Sequence, residues 1–327
     1  MMIRRRHLLG GGASAILSSC LPLSAFSDTY PNRPIQILIG FSAGSSTDVL
    51  MRIVAQKLGE MWGHHPVIVN RTGAGGTTAA AAVARANPDG YTLYFSNGGL
   101  ATGASLYKNL SYNSRTDFAP VALVARMPHL ACVDPALPVK SISDLIALAR
   151  SKQGSLLFSS AGFGNSDHMA AELFLHMTNT KMVHLPSKGG PEALYDVIQH
   201  RAAVTFTGPP IGLPAIKVGT VRAIAVTSTK RSPDLPDVPT MEEAGVAGYE
   251  HTQWNGLFAP AETPPEIVNK LNSDVVQALA ASDVRSRLDA IGAESPAMSP
   301  MEFSQFFRGQ LDKWETVIKV TGMKQIE

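Results

Sequence analysis

The chain has 327 residues, 45% of them hydrophobic and 17% charged, with 28 basic and 26 acidic side chains. That length suggests about two domains with a substantial core, and the composition excludes a disordered chain. The longest basic run beyond the amino-terminal segment is Lys230-Arg231, which excludes a nucleic-acid footprint, and beyond residue 27 no run reaches the ~18 apolar residues of a membrane span.

In chain order, the first 27 residues read as an export signal. Arg4-Arg5-Arg6 is a basic start, Leu8 to Leu23 is mildly apolar, and Ala25-Phe26-Ser27 offers small residues for cleavage before Asp28. The arginine pair suits the twin-arginine route. Leu17-Ser18-Ser19-Cys20 resembles a lipobox, so a lipid-anchored form at Cys20 stands beside the preferred soluble periplasmic form. The signal holds three of the 28 basic residues and none of the 26 acidic ones, so the remainder is nearly neutral. Cys132 is then the remaining cysteine, and no internal disulfide is expected.

Apolar runs at Ile35–Ile39, Val67–Val69, Tyr91–Phe95, Val121–Ala125, Leu130–Val133, Leu156–Phe158, Ala203–Phe206 and Arg222–Val226 predict strands. Helical patterns lie between them at Thr47–Leu58, Thr77–Ala86, Ile142–Ala149, Asp167–Met177 and Glu192–Gln199. Such alternation predicts α/β layering with mostly parallel sheets. From residue 263 the pattern becomes purely helical. Thr263-Pro264-Pro265-Glu266 and Ser299-Pro300-Met301-Glu302 are capping boxes. Phe303, Phe307, Leu311, Trp314 and Ile318 form one apolar seam.

Two loops stand out. Phe41-Ser42-Ala43-Gly44-Ser45-Ser46-Thr47-Asp48 follows the first strand and opens into a helix. Ser160-Ala161-Gly162-Phe163-Gly164-Asn165-Ser166 does the same in the second half. Small residues let an anion approach the unpaired N–H groups of a helix start, and hydroxyls add donors. Each loop is therefore either a carboxylate or phosphate cradle or an ordinary strand–helix turn; two matched loops favour binding. Asp48 either accepts a ligand amine or bonds the backbone beside its own helix start. The pair predicts two α/β lobes facing one another.

Other signals are weaker. Gly73-Ala74-Gly75-Gly76 and Gly162-Phe163-Gly164 both fail the dinucleotide fingerprint, and no Walker A motif occurs. His168, Glu172 and His176 share a helical spacing that zinc would use, but the face reads as solvated, with Met169, Leu173 and Met177 buried elsewhere. Ser166 or Ser160 with His168 supplies the residue types of a serine hydrolase, without a base placed to activate the serine. Lys188-Gly189-Gly190 is either a cation beside exposed amides or a turn.

Six strings in order carry a family resemblance: Tyr30-Pro31 with Arg33-Pro34-Ile35; Asn70-Arg71 with Gly73-Ala74-Gly75-Gly76; Pro88-Asp89-Gly90-Tyr91-Thr92-Leu93; Lys188-Gly189; Arg231-Ser232-Pro233 with Leu235-Pro236-Asp237-Val238-Pro239-Thr240; and Trp254 with Gly256-Leu257. Over essentially the whole exported part, the chain resembles the Bug-type solute-binding proteins of tripartite tricarboxylate transport systems. The resemblance implies a type II periplasmic-binding-protein-like α/β fold, with two lobes, a central ligand cleft and crossing hinge strands. It implies lobe I from 28–125 and 251–327 and lobe II from 126–250. It also implies capture of a small carboxylate (a di- or tricarboxylate, an acidic amino acid or an aromatic acid) on the loop after the first strand of each lobe.

The departures are Gly44-Ser45 where a glycine pair is usual, Asn165 in a serine place, Ser187 where Tyr is usual, and Thr207 near a common Asp. The candidate ligand-binding residues are Phe41, Ser42, Ala43, Gly44, Ser45, Thr47 and Asp48; Asn97; Ser160, Ala161, Gly162, Gly164, Asn165, Ser166 and His168; Lys188 and Gly189; and Thr207. No catalytic residue, metal ligand or cofactor is expected. The expected partners are a small organic anion and the membrane permease subunits of a tripartite tricarboxylate-type system, with no nucleic acid, and the protein is expected to be a monomer. A sensory component feeding a signalling receptor is the alternative binding role, and a hydrolase the alternative class.

Overall fold

A computed structural model describes residues 30–327 apart from 153, 322, 324 and 327. The segment expected to be an export signal, including Arg4-Arg5-Arg6 and Cys20, lies outside the described residues. Among the described residues, ten strands form two five-stranded sheets. The first has the order β2 (Val67–Asn70), β1 (Gln36–Ile39), β3 (Thr92–Asn97), β10 (Thr252–Pro260), β4 (Phe118–Pro128); the second has β7 (Val183–Pro186), β6 (Leu157–Ser160), β8 (Val204–Thr207), β5 (Leu130–Val133), β9 (Arg222–Val226). Ile37, Leu38 and Ile39 are all buried, the mark of a central strand covered on both faces.

The helices are α1 (Ser46–Trp62), α2 (Thr77–Ala84), α3 (Gly99–Leu106), α4 (Ile142–Ser151), α5 (Ser166–Thr178), α6 (Gly190–Ile198), α7 (Pro209–Lys217), α8 (Pro265–Ala280), α9 (Ser282–Asp289) and α10 (Pro300–Thr321). Each lobe repeats one plan, a strand, a small polar loop and a helix: β1 into α1, and β6 into α5. Ser45 caps α1 by accepting from Asp48 N, and Gly63 ends it in the left-handed region at φ 72°. Asn165 caps α5.

The sheets are mixed, not mostly parallel. β1 pairs in parallel with β2 and β3, and β6 with β7 and β8. β10 runs antiparallel to β3 and β4, and β5 antiparallel to β8 and β9. The cause is connectivity. The chain leaves the first lobe along β4 into β5 and returns along β10, and it is β5 and β10 that run against the parallel set of their own sheets. The crossing segments are laced together at Thr227: its N–H donates to His129 O, its carbonyl accepts from His251 N, and its Oγ1 accepts from His129 N at 2.7 Å.

One core holds Tyr94, Phe118, Trp254, Phe258 and the α10 seam of Phe303, Phe307, Leu311, Trp314 and Ile318. At about 1.5–3 kcal/mol for each large apolar side chain removed from water, that seam is what fastens α10 to the first sheet. The second core gathers Phe158, Phe174, Phe206 and Tyr249 around β6 and β8.

Candidate functional site

The loops of residues 41–48 and 160–168 face each other across the seam between the lobes. Asn97 Nδ2 donates to Asn165 Oδ1, Ser42 Oγ donates to Glu192 Oε2 at 2.9 Å, and the Thr102 hydroxyl donates to Gly164 O. Glycines permit the approach. A Cβ on Gly189 would meet Ser42 Oγ at 1.9 Å, and one on Gly208 would meet Ser46 Oγ at 2.3 Å.

Between the loops remains a cavity of about 20 Å³, room for roughly one water. Phe41, Ser45, Ser46, Thr47, Asn97 and Gln253 line it from the first lobe and the returning strand. His129, Ala161, Asn165, Asp167, Phe206, Thr207 and Gly208 line it from the crossing segment and the second lobe. Ser46 Oγ and Thr207 Oγ1 are buried there without a hydrogen-bond partner. Asn255 Nδ2 is also buried and unpartnered, on the residue whose Oδ1 accepts from the cavity-lining Thr47 and Gln253. Buried polar atoms are nearly always paired, so unpaired donors drawn from both lobes mark a place that receives a polar group.

Each loop also holds one of the protein's own carboxylates against its backbone. Asp48 Oδ2 accepts from Gly44 N at 2.9 Å and from Arg52 Nε at 2.8 Å, while Oδ1 accepts from Asn70 Nδ2. Burial pushes the Asp48 carboxyl up, but the hydrogen bonds from Arg52, Gly44 and Asn70 outweigh it and hold it below the ordinary 3.8. Asp167 Oδ2 accepts from Ala161 N at 2.7 Å and Oδ1 from His168 N at 2.8 Å. Burial dominates there. Backbone N–H groups of Ala161, His168 and Asp167 itself offset it in part, and the carboxyl is pushed up to about 7.

Of the sequence-predicted residues, Phe41, Ser45, Thr47, Asn97, Ala161, Asn165 and Thr207 border the cavity. Ser42, Gly44, Gly164 and Gly189 shape the contact between lobes around it, and Ala43 belongs to the same loop as Ser42 and Gly44. Asp48 takes the second of its two readings, bonding the loop backbone. Ser160 Oγ accepts from Gly162 N and meets His184 Nε2 at 2.6 Å. Lys188 is exposed and does not line the cavity. Sequence reasoning missed Ser46, His129, Asp167, Phe206, Gly208 and Gln253. Ser46 and Asp167 sat inside the loops already singled out. The others come from strand ends and a crossing segment, which only the pairing of distant strands brings together.

The residue types of a hydrolase meet, but not as the sequence paired them. Ser166 Oγ lies 3.0 Å from His129 Nε2 and 2.9 Å from His251 Nε2, and the two rings stack. Burial lowers His129 to about 3 and His251 well below its ordinary value. His129 Nδ1 has no side-chain partner, so no acid orients the ring as a triad base requires. His168 is buried too, which corrects the reading of its helix face as solvated. Its Nδ1 accepts from Gly164 N, its ring lies 4.1 Å from that of His184, and burial keeps it neutral. Met177, expected inside, is 36% exposed. His176 is also exposed, so the spacing of His168, Glu172 and His176 gathers no metal set, and no cluster of three or more such ligands occurs among the described residues.

A larger cavity, about 460 Å³, lies where Thr252 and Trp254 point, the face of β10 opposite Gln253 and Asn255. Apart from Ser166, the two loops do not reach it. The smaller cavity is therefore the candidate site.

A model of the family described as "Tripartite tricarboxylate transporter family receptor" matches residues 50–323. The chain is 34% identical over 317 residues to the UPF0065 protein in the tcbD-tcbE intergenic region of Pseudomonas sp. (strain P51), covering 97% of this chain and 94% of that one. It is 34% identical over 305 residues to BugT of Bordetella pertussis (strain Tohama I), 93% of each. Among solved structures, an R. palustris protein with adipate superposes with a TM-score of 0.87 at 36% identity, over 91% of this chain and all of that one. Rhodopseudomonas palustris MatC with bound malate gives 0.85 at 33%, over 88% of this chain and all of that one. The periplasmic binding protein BugD gives 0.87 at 31%, over 91% and all of that chain. With two α/β lobes joined by crossing strands and facing loops at their seam, the chain belongs to the tripartite tricarboxylate transporter receptor family, a family of Bug-type solute receptors and not of enzymes.

Proposed function

We propose that this protein works in the periplasm as a monomeric receptor that captures a small carboxylate between its lobes and delivers it to a tripartite tricarboxylate-type permease. The observation that carries the reading is the convergence of Ser46 Oγ from one lobe and Thr207 Oγ1 from the other, both buried and unpartnered, on a cavity between facing loops. Two relatives of the same fold were solved with adipate and with malate, which supports a carboxylate as the polar group those hydroxyls await. We take lobe I as 28–125 with 251–327 and lobe II as 126–250, with the hinge at His129, Thr227 and His251.

A cavity of about 20 Å³ is too small for a four- or six-carbon acid. The lobes must swing apart at the hinge to admit one and close again around it. The ligand stabilises closure because only the closed form brings both hydroxyls onto it. The test is thermal denaturation across a panel of mono-, di- and tricarboxylates and amino acids. A binder at a hundred times its Kd adds about 2.7 kcal/mol, several degrees for a protein of this size. Replacing both hydroxyls, Ser46→Ala with Thr207→Val, should remove the shift. A panel without any shift, or a double variant that keeps it, sinks the reading.

A further inference from the structure

The carboxyl of Asp167 is out of place in a pocket for an anion. It is 5% exposed and borders the cavity between the loops. Its oxygens accept from Ala161 N and His168 N, and no lysine or arginine pairs with it among the described residues. Its counterpart in the other lobe is different: Asp48 also accepts a loop amide, but Arg52 neutralises it at 2.8 Å. His129, the other titratable group lining the cavity, is kept uncharged by burial and supplies no counter-charge.

One small space therefore presents donors without acceptors, Ser46 Oγ and Thr207 Oγ1, beside a carboxyl without a cation. The donors suit a carboxylate. The carboxyl suits an ammonium group: of the four lone pairs on its two oxygens, the backbone N–H groups of Ala161, His168 and Asp167 take up to three, which leaves one to accept. A plain dicarboxylate would bring more negative charge against Asp167 in a space with little water, or force it to take up a proton.

We propose that Asp167 is the specificity-determining residue of this site, selecting ligands that carry a protonated nitrogen beside the carboxylate over the same acid without it. The proposal rests on the carboxylate-capture reading above. A favourable partner for a buried carboxyl is worth far more than one in water, because the alternative is to leave the charge unpaired.

Calorimetric titration of the folded protein at pH 7.5 with matched acids tests this: aspartate against succinate, glutamate against glutarate, alanine against propionate. The expected result is at least tenfold tighter binding of the amino member in one or more pairs. Asp167→Asn should then weaken that member tenfold or more while leaving its partner unchanged or tighter. Asp167→Ser, smaller and unable to carry charge, repeats the comparison if the Asn variant folds poorly. Equal affinities within every pair that binds overturn the proposal, as does a variant that weakens both members alike. Should adipate or malate bind while no amino acid does, the proposal falls and the carboxylate reading stands. Should no acid of either kind bind, both fall.

Discussion

Asp167 leaves a signature in stability as well as in binding. Its carboxyl rises from the ordinary 3.8 to about 7 because burial disfavours the charge. Between those values the unfolded chain gives up the proton and the folded chain keeps it, so stability falls as pH rises through that window and stays low above it. At about 1.4 kcal/mol per unit, the cost at pH 8 is on the order of 4 kcal/mol. Asp167→Asn removes the charge but also loses one acceptor for a backbone N–H, at about 1–3 kcal/mol. The variant is expected to be about 1–3 kcal/mol more stable at pH 8 by urea denaturation. Buried histidines act in the opposite sense. Burial lowers His184 to about 4 and His129 to about 3, against an ordinary 6.5. Their contribution is whole above 6.5 and is lost as pH falls below it. With Asp167 gone, its share of the offset to that loss is gone and the raised Glu172 carboxyl supplies only part of it, so the Asn variant should fall more steeply below pH 6.5 than the wild type. An unchanged slope would mean that Asp167 is ionised in the fold at neutral pH.

At the scale of elements, two identical-looking helix starts behave differently. Before α10, Ser299 N donates to Glu302 Oε2 and Glu302 N donates to Ser299 Oγ, the reciprocal pair of a capping box. Before α8 the same pattern fails: Pro264 occupies the cap, and Thr263 Oγ1 is buried without a partner. Ser299→Ala should therefore cost about 1 kcal/mol, whereas Thr263→Val should be neutral or stabilising; chemical denaturation separates the two. The strands legible in sequence were those with consecutive apolar residues, such as β1 and β5. β10 was not, although all of its residues but Thr252 are buried. Its run Gln253-Trp254-Asn255-Gly256 mixes polar and apolar residues because one face meets the cavity side and the other meets the α10 seam. α3 and α7, rich in glycine or proline, hide for a related reason: α3 is held by packing on α10, and α7 by packing on α1, α6 and β5, not by helix propensity.

The whole molecule depends on two lobes meeting face to face. Gly208 is the cleanest place to interfere. Its φ of −71° suits any residue, so alanine there should leave the second lobe intact, yet the added Cβ would collide with Ser46 Oγ of the first. Gly208→Ala is expected to keep its apo melting temperature within a few degrees, to show a larger radius of gyration by small-angle scattering in the presence of ligand, and to bind at least tenfold more weakly. A variant that closes and binds normally would place the ligand elsewhere than this seam. The crossing segments set what closure can do. Thr227 ties His129 to His251 through main-chain and hydroxyl bonds, which couples the two crossings at the proposed hinge.

Local chemistry made much of this protein readable from its residues alone. Apolar runs dictate strands, glycine and hydroxyl residues dictate the two small loops, and the repetition of strand, loop and helix dictates two similar lobes. These follow from short-range sterics and hydrophobic burial, which act between near neighbours in the chain. What tertiary structure alone decided is which loop atoms remain unpaired. Ser46 and Thr207 lie far apart in sequence, and a serine or threonine hydroxyl ordinarily finds a backbone partner nearby. Only the meeting of the lobes removes water from both and leaves them facing one cavity, with Asp167 beside them lacking the cation that Asp48 has. Desolvation at that seam is a property of the assembled fold, and it makes two ordinary-looking turns a candidate site.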